Sequence, residues 1–200
     1  MEPPMSRAIL GEFAHIIRQA LEEDHALVRS TGVQATPAGP RVLFEAGELP
    51  APSKPGFAPK PRSALVAEAA SRYLATRWAE GPLPRPVPLD SSAALGEAFP
   101  HVYANGTETP CGWHWLMFAG AEWLVEARLP QGFHTSQAKE KFACLRWYWH
   151  CDAVRDGQAA GIIRAVEAIS AGICETCGGP GTLRRGGWVR TLCDEHAARR

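Results

Sequence analysis

Apolar residues recur at helical spacing from the start of the chain. Ile9, Leu10, Phe13, Ile16, Ile17, Ala20, Leu21, Leu27 and Val28 fall on one side of residues 6–29. Ser6 is placed to cap that helix. Such a helix either packs on the body of the protein or serves as a partner-binding or dimerising element. The periodicity then breaks. Seven of the 17 prolines fall between Pro37 and Pro61, so this stretch reads as a linker or irregular arm of polyproline II character. The short apolar run Val42-Leu43-Phe44 is able to pin it to a surface. Helical spacing returns over 63–80, with Ser63 as cap and Leu65, Val66, Ala69, Ala70, Tyr73, Leu74 and Trp78 as the stripe. Alternating prolines at Pro82, Pro84, Pro86 and Pro88 stop it. A short helix is expected over 91–99 and a loop from Pro100 to Cys111.

From residue 112 the texture changes, because five of the seven tryptophans lie between Trp113 and Trp149. Gly112 to Arg128 reads as a helix. Lys139 to Trp149 alternates with period two and is rich in aromatics, which predicts a strand. Phe142, Cys144, Arg146 and Tyr148 share one face, and Ala143, Leu145, Trp147 and Trp149 the other. Gly157 to Ile173 is helical again. The expected organisation is a helix over 1–34, a Pro-rich linker over 35–62, a helical and irregular region over 63–110, a helix–strand–helix core over 111–173 and a metal module over 174–200. The fold class is α+β, a helical N-terminal region followed by a small mixed α/β domain that ends in a zinc ribbon or treble clef.

The last segment carries the chemistry. Cys174 and Cys177 form a C-x2-C pair, and Cys193 and His196 a C-x2-H pair 15 residues later. Zinc takes four such donors at tetrahedral corners. Gly178 suits the tight bend after the first pair, and the intervening residues are enough for two short strands, Thr182 to Arg185 and Trp188 to Leu192. The competing readings are a dithiol redox pair at Cys174 and Cys177 and unliganded buried thiols. Four protein ligands close the site, so the zinc is expected to be structural. Cys111, His114, His150 and Cys151, with Cys144 nearby, are candidates for a second metal or else ordinary core and polar residues.

Charge narrows the partners. Lys plus Arg and Asp plus Glu are 21 each, which argues against a generic polyanion binder. Locally, Arg184, Arg185 and Arg190 lie on the expected zinc hairpin around Trp188, and Lys139, Lys141 and Arg146 on the aromatic strand. Guanidinium groups beside an aromatic suit phosphates and stacked bases, or form a solvated face. No Ser-His-Asp order, phosphate-binding glycine loop or His-Glu-x-x-His motif is present, and no catalytic residue is assigned. No apolar run of about 18 residues occurs, and MEPPMSRAIL lacks a basic-then-apolar pattern, so a cytoplasmic protein without a membrane partner is expected.

Three blocks carry a resemblance. They are Gly112-Trp113, then Lys139, Glu140, Lys141, Phe142, Ala143, Cys144, Leu145, Arg146, Trp147 and Tyr148, then Cys174, Glu175, Cys177, Gly178, Pro180, Gly181, Gly187, Trp188, Thr191, Leu192, Cys193, Asp194 and His196. Over about residues 111–197 the chain resembles an uncharacterised zinc-ribbon family frequent in bacteriophages and prophages, whose middle block usually reads Lys-Glu-Lys-Phe-Gly-Gly-Leu-Arg-Phe-Tyr. The departure is Ala143-Cys144 in place of the two glycines. The resemblance implies a phage-related setting in a bacterial cytoplasm and no settled activity. The expected function is a non-enzymatic zinc-containing binding protein that engages a host protein or nucleoprotein complex. Alternatives are a nucleic-acid-binding accessory factor using the basic zinc hairpin, and a metal-dependent nuclease or hydrolase.

Overall fold

The computed structural model describes residues 4–48, 62–152 and 156–199. Within them lie six α-helices and three two-stranded antiparallel sheets, a mixed α/β architecture. Helix α1 (Pro4–Leu21) buries Ile9, Phe13, Ile16, Ile17 and Leu21, as its periodicity predicts. It begins before Ser6, which is therefore inside the helix and not its cap. It also ends at Leu21 and not at Arg29. Glu22 has φ +51, a left-handed conformation that breaks the helical path, and a 3-10 turn follows over Glu22–Leu27.

The largest departure from the sequence pattern comes next. Strands β1 (Val28–Thr36) and β2 (Gly39–Ala46) form a hairpin where a helix end and a Pro-rich linker were expected. Thr36 pairs with Gly39, so Pro37 and Ala38 make the two-residue turn, and the proline presets the turn's φ. The hairpin is held by α2 (Ser63–Arg77). Ser71, fully buried, accepts from the Val42 amide at 3.0 Å and donates to the Val42 carbonyl at 2.9 Å, standing in for a neighbouring strand. Ser63 does not cap α2, since its hydroxyl donates to the Gly47 carbonyl. The expected linker residues 49–61 lie outside the described residues.

Helix α2 is central. Val66, Ala67, Ala69, Ala70, Tyr73 and Leu74 bury almost its whole circumference against α1, α4 (His114–Glu126) and α5 (Gly157–Ile169). Its small alanines let three helices approach closely. Between them, α3 (Ser91–Ala98) is capped by Asp90, which accepts from the Ala93 amide at 3.0 Å, and Asp156 caps α5 in the same way.

The Lys139–Trp149 run is not one strand. It is the inner part of a second hairpin, β3 (His134–Lys141) and β4 (Cys144–His150), with Phe142 and Ala143 as its two-residue turn. Both turn residues have positive φ, +55 and +63, as a turn matched to strand twist requires. The alternation expected for β4 holds. Leu145 and Trp147 are buried in the core, and Arg146 and Tyr148 lie on the opposite, more open face. Two outward amides of β4 are taken by α5 and the turn after it. Leu145 N–H donates to Ser170 Oγ at 2.8 Å, and Trp147 N–H to Glu167 Oε1 at 2.7 Å. Burial raises the Glu167 pKa above the ordinary value, against the opposing effects of that bond and of Arg146 and Arg164. No helix among the described residues is long and apolar enough to cross a membrane.

Candidate metal centre

Cys174 and Cys177 flank a tight turn entered from α5. Gly178, at φ +72, lets the chain reverse, and the turn closes through Gly178 N–H to Cys174 O at 2.9 Å and Cys174 N–H to Gly179 O at 2.7 Å. The hairpin β5 (Thr182–Arg184) and β6 (Arg190–Leu192) leads to α6 (Asp194–Ala198), with Cys193 as its N-cap residue and His196 in its first turn. The ligand atoms of Cys174, Cys177, Cys193 and His196 lie within 4.8 Å of one another and can hold a metal ion. Cys174 Sγ is 3.8 Å from His196 Nδ1, Cys177 Sγ is 4.0 Å from Cys193 Sγ, and Cys193 Sγ is 3.0 Å from His196 Nδ1. A tetrahedral ion with Zn–S bonds of ~2.3 Å sets its ligand atoms ~3.8 Å apart, so the first two separations already match such a centre. The site also favours thiolate at one corner. The Cys177 thiol, then the amides of Cys193, Cys177 and Thr176, pull the Cys174 pKa down against the effect of burial, and the same Cys174–Cys177 bond pushes Cys177 up.

The first ligand pair is gripped from the N-terminal helices. Arg77 on α2 donates to Cys177 O at 3.1 Å, Tyr73 OH to Gly178 O, and His15 Nε2 on α1 to Gly181 O at 2.8 Å. The turn before α4 adds Gly112 N–H to Glu175 O at 2.9 Å, Trp113 Nε1 to Ile173 O at 3.0 Å and the Cys111 thiol to Thr176 O at 3.5 Å. A Cβ on Gly112 would stand 2.3 Å from the Cys174 carbonyl, so the close approach needs glycine there. The Arg77 side chain is only 7% exposed and pairs with Glu12 at 3.2 Å. Burial opposes its charge, and Tyr73, Glu12 and Cys177 outweigh that effect to hold its pKa above the ordinary arginine value. Three thiolates and a neutral imidazole around a divalent ion leave one negative charge, and Arg77 is the cation beside it.

Glu175 ties the first pair to the second. Its carboxylate is buried and accepts from Thr191 N–H at 2.6 Å and Arg190 Nε at 2.8 Å, while its own amide donates to Thr191 O at 2.9 Å. Thr191 Oγ1 in turn donates to Ala143 O at 2.9 Å, which seats the β3–β4 turn on the module. The three sequence blocks around Gly112, Lys139–Tyr148 and Cys174–His196 therefore meet at one place.

The basic residues singled out by sequence divide into two groups. Arg184 bonds Leu192 O at 3.2 Å and pairs with Asp194, and Arg190 pairs with Glu175, so both brace the module. Arg146 donates to its own neighbour, Leu145 O. Lys139 lies over the Tyr148 ring at 5.7 Å and Lys141 over the Phe142 ring at 5.7 Å. Arg185 is exposed, and Trp188 is 71% exposed with its indole N–H directed to Glu140 at 3.3 Å. The suggested second metal set is not brought together among the described residues. Cys111 bonds the first ligand turn, His114 pairs with Ser91 at 3.0 Å, and His150 stacks on His134 at the far end of the β3–β4 hairpin.

Sequence reasoning missed Glu12, His15, Tyr73, Arg77 and the bridging role of Glu175. The one available signal was Arg77, a charge lying between Leu74 and Trp78 of an apolar stripe. The chain matches no protein-family model, no curated protein and no solved structure.

Proposed function

We propose that the chain is a non-enzymatic binding protein whose C-terminal module is organised by one structural zinc ion. The carrying observation is the convergence of Cys174, Cys177, Cys193 and His196, which supplies four donors of the kind zinc prefers. All four positions come from the protein, so a tetrahedral ion here keeps no site for an activated water. A turn bearing the first pair, a hairpin, and a helix whose start bears the second pair support a treble-clef reading. In this proposal the module acts as a rigid platform for a protein or nucleoprotein partner in a bacterial cytoplasm. The phage or prophage setting rests on the three sequence blocks alone.

Elemental mass spectrometry of the purified full-length chain tests the reading. One zinc per chain is expected, lost when Cys174 or Cys193 is replaced by serine. A folded protein without zinc, or with a second tightly held metal, overturns it. Added metal-dependent phosphodiester or peptide hydrolysis by the zinc-loaded protein would favour the hydrolase reading instead.

A further inference from the structure

We infer that the open face of the β3–β4 hairpin, together with Trp188, binds single-stranded nucleic acid. This inference rests on the binding-protein reading above and names its ligand class. Three aromatic rings stand out of the surface on or beside this hairpin. Phe142 is 70% exposed at the turn itself, Tyr148 stands on the open face of β4, and Trp188 reaches the turn from the metal module. Glu140 links Trp188 to the turn. One carboxylate oxygen accepts from Ala143 N–H inside the turn at 2.5 Å, and the other accepts from the Trp188 indole N–H at 3.3 Å.

The cations have a matching pattern. Lys139 and Lys141 lie over the Tyr148 and Phe142 rings, and Arg185 sits on the loop that carries Trp188. Among the described residues, none of the three has a carboxylate within ion-pair distance, whereas Arg184 and Arg190 are both ion-paired. An exposed ammonium–ring contact is weaker than stacking a base on the same ring, so a base displaces the lysine, which then turns to the adjoining phosphate. Aromatic rings on a two-stranded surface read bases that are already unstacked, which a duplex does not offer. The balanced overall charge, 21 cations against 21 anions, agrees with a local strand-binding patch and not with duplex binding along the whole surface. An apolar peptide would leave the unpaired cations unused. An acidic aromatic peptide is the competitor to test.

The experiment is fluorescence anisotropy on the zinc-loaded full-length chain, with labelled oligo-U and oligo-dT of about 12 nucleotides, within the site sizes of single-strand binders. Unlabelled duplex of the same length and a Glu-rich, Tyr-containing peptide serve as competitors. Binding is expected to either or both oligonucleotides, with duplex competing at least about tenfold more weakly. Phe142→Ala and Trp188→Ala should each weaken it by about five- to a hundredfold. The logarithm of affinity should fall with the logarithm of salt at a slope of about −2, from three phosphate contacts, and Lys139→Gln with Lys141→Gln should remove about two-thirds of that slope. Circular dichroism and zinc content of each variant confirm that it is folded. Zinc-loaded protein that binds neither oligonucleotide, binds duplex equally well, or is indifferent to both aromatic substitutions overturns the inference. Binding of the acidic peptide at this face in place of oligonucleotide also overturns it, and leaves the binding-protein reading intact. Absence of zinc from folded protein fails that reading separately, before any oligonucleotide is added.

Discussion

Cys174 and Cys177 lie in a turn whose backbone is hydrogen-bonded to α1, α2 and the segment before α4. Cys193 and His196 lie at the start of α6, a helix of five residues that packs on β6 and is paired to its surroundings through exposed charges. Cys174 is fully buried, and the other three ligands are half-buried. One half of the centre is thus set by the fold of the whole protein. The other half is joined to it by Glu175, and an ion between the four residues would join it further. A preformed half reduces the ordering that metal binding must bring about, and confines it to the second half.

The most severe way to break this contrast is to remove the metal. Chelation should abolish amide-exchange protection over residues 182–198 while residues 172–181 keep much of theirs. Structural zinc contributes on the order of 10 kcal/mol in small peptides, so the loss should be complete on the second half. Simultaneous loss from both halves would show that α1 and α2 do not hold the first pair independently. Next comes Arg77→Met, which strands the Glu12 carboxylate. Breaking one side of such a buried pair costs about 3–5 kcal/mol, measurable by urea unfolding. Glu12→Gln in the same chain should recover part of it, because burial already raises the Glu12 pKa against the pull of Arg77.

Smaller effects sharpen the comparison. Glu175→Gln keeps the shape but weakens the bonds to Arg190 and the Thr191 amide, and should cost about 1–3 kcal/mol and speed zinc loss to a chelator. Unchanged zinc release would mean that the ion alone couples the two pairs. The last test is in pH. Burial depresses His114 to about 4, assisted by Arg85 and opposed by the Ser91 bond. A group depressed in the fold contributes stability above its unfolded value of 6.5 and loses it as pH falls toward 4. The wild type is compared with His114→Asn, which removes this one group. The variant should show a shallower decline between those two pH values, by about 1–3 kcal/mol. Parallel curves would show that His114 adds nothing to the acid effect.

How much of this was legible depends on how far apart the cooperating residues lie. The cluster of Cys174, Cys177, Cys193 and His196 was readable because its spacing is local, two pairs within one short segment. Helix α5 was readable from its one apolar stripe, and α2 and α4, buried almost all round, from long apolar-rich runs that contain that spacing. The β1–β2 hairpin was not. Pro37 and Pro40 gave the stretch the look of a linker, while its stabilising contacts come from Ser71, 29 residues beyond Val42. The Phe142–Ala143 turn was hidden for another reason, since neither residue is one that usually marks left-handed backbone. The grip of Arg77 on Cys177 spans 100 residues, and its one local trace is a charge set inside an apolar stripe. Read as one strand, the segment put Lys139 and Lys141 on the face opposite Phe142 and Tyr148, and only the turn at Phe142–Ala143 brings the lysines over those rings. The separation of Arg184 and Arg190 from Arg185 needed the positions of Asp194 and Glu175.

The Ser170 and Glu167 side chains that cap the Leu145 and Trp147 amides have a consequence for how copies of this chain meet. A hairpin with an open flank invites a second strand to add alongside it, and repeated addition makes fibres. Here those two sites on the flank of β4 are already filled from within the same molecule, and one of the fillers is a carboxyl group that an incoming strand would have to displace. Strand addition is opposed at those two positions without a proline or a surface lysine.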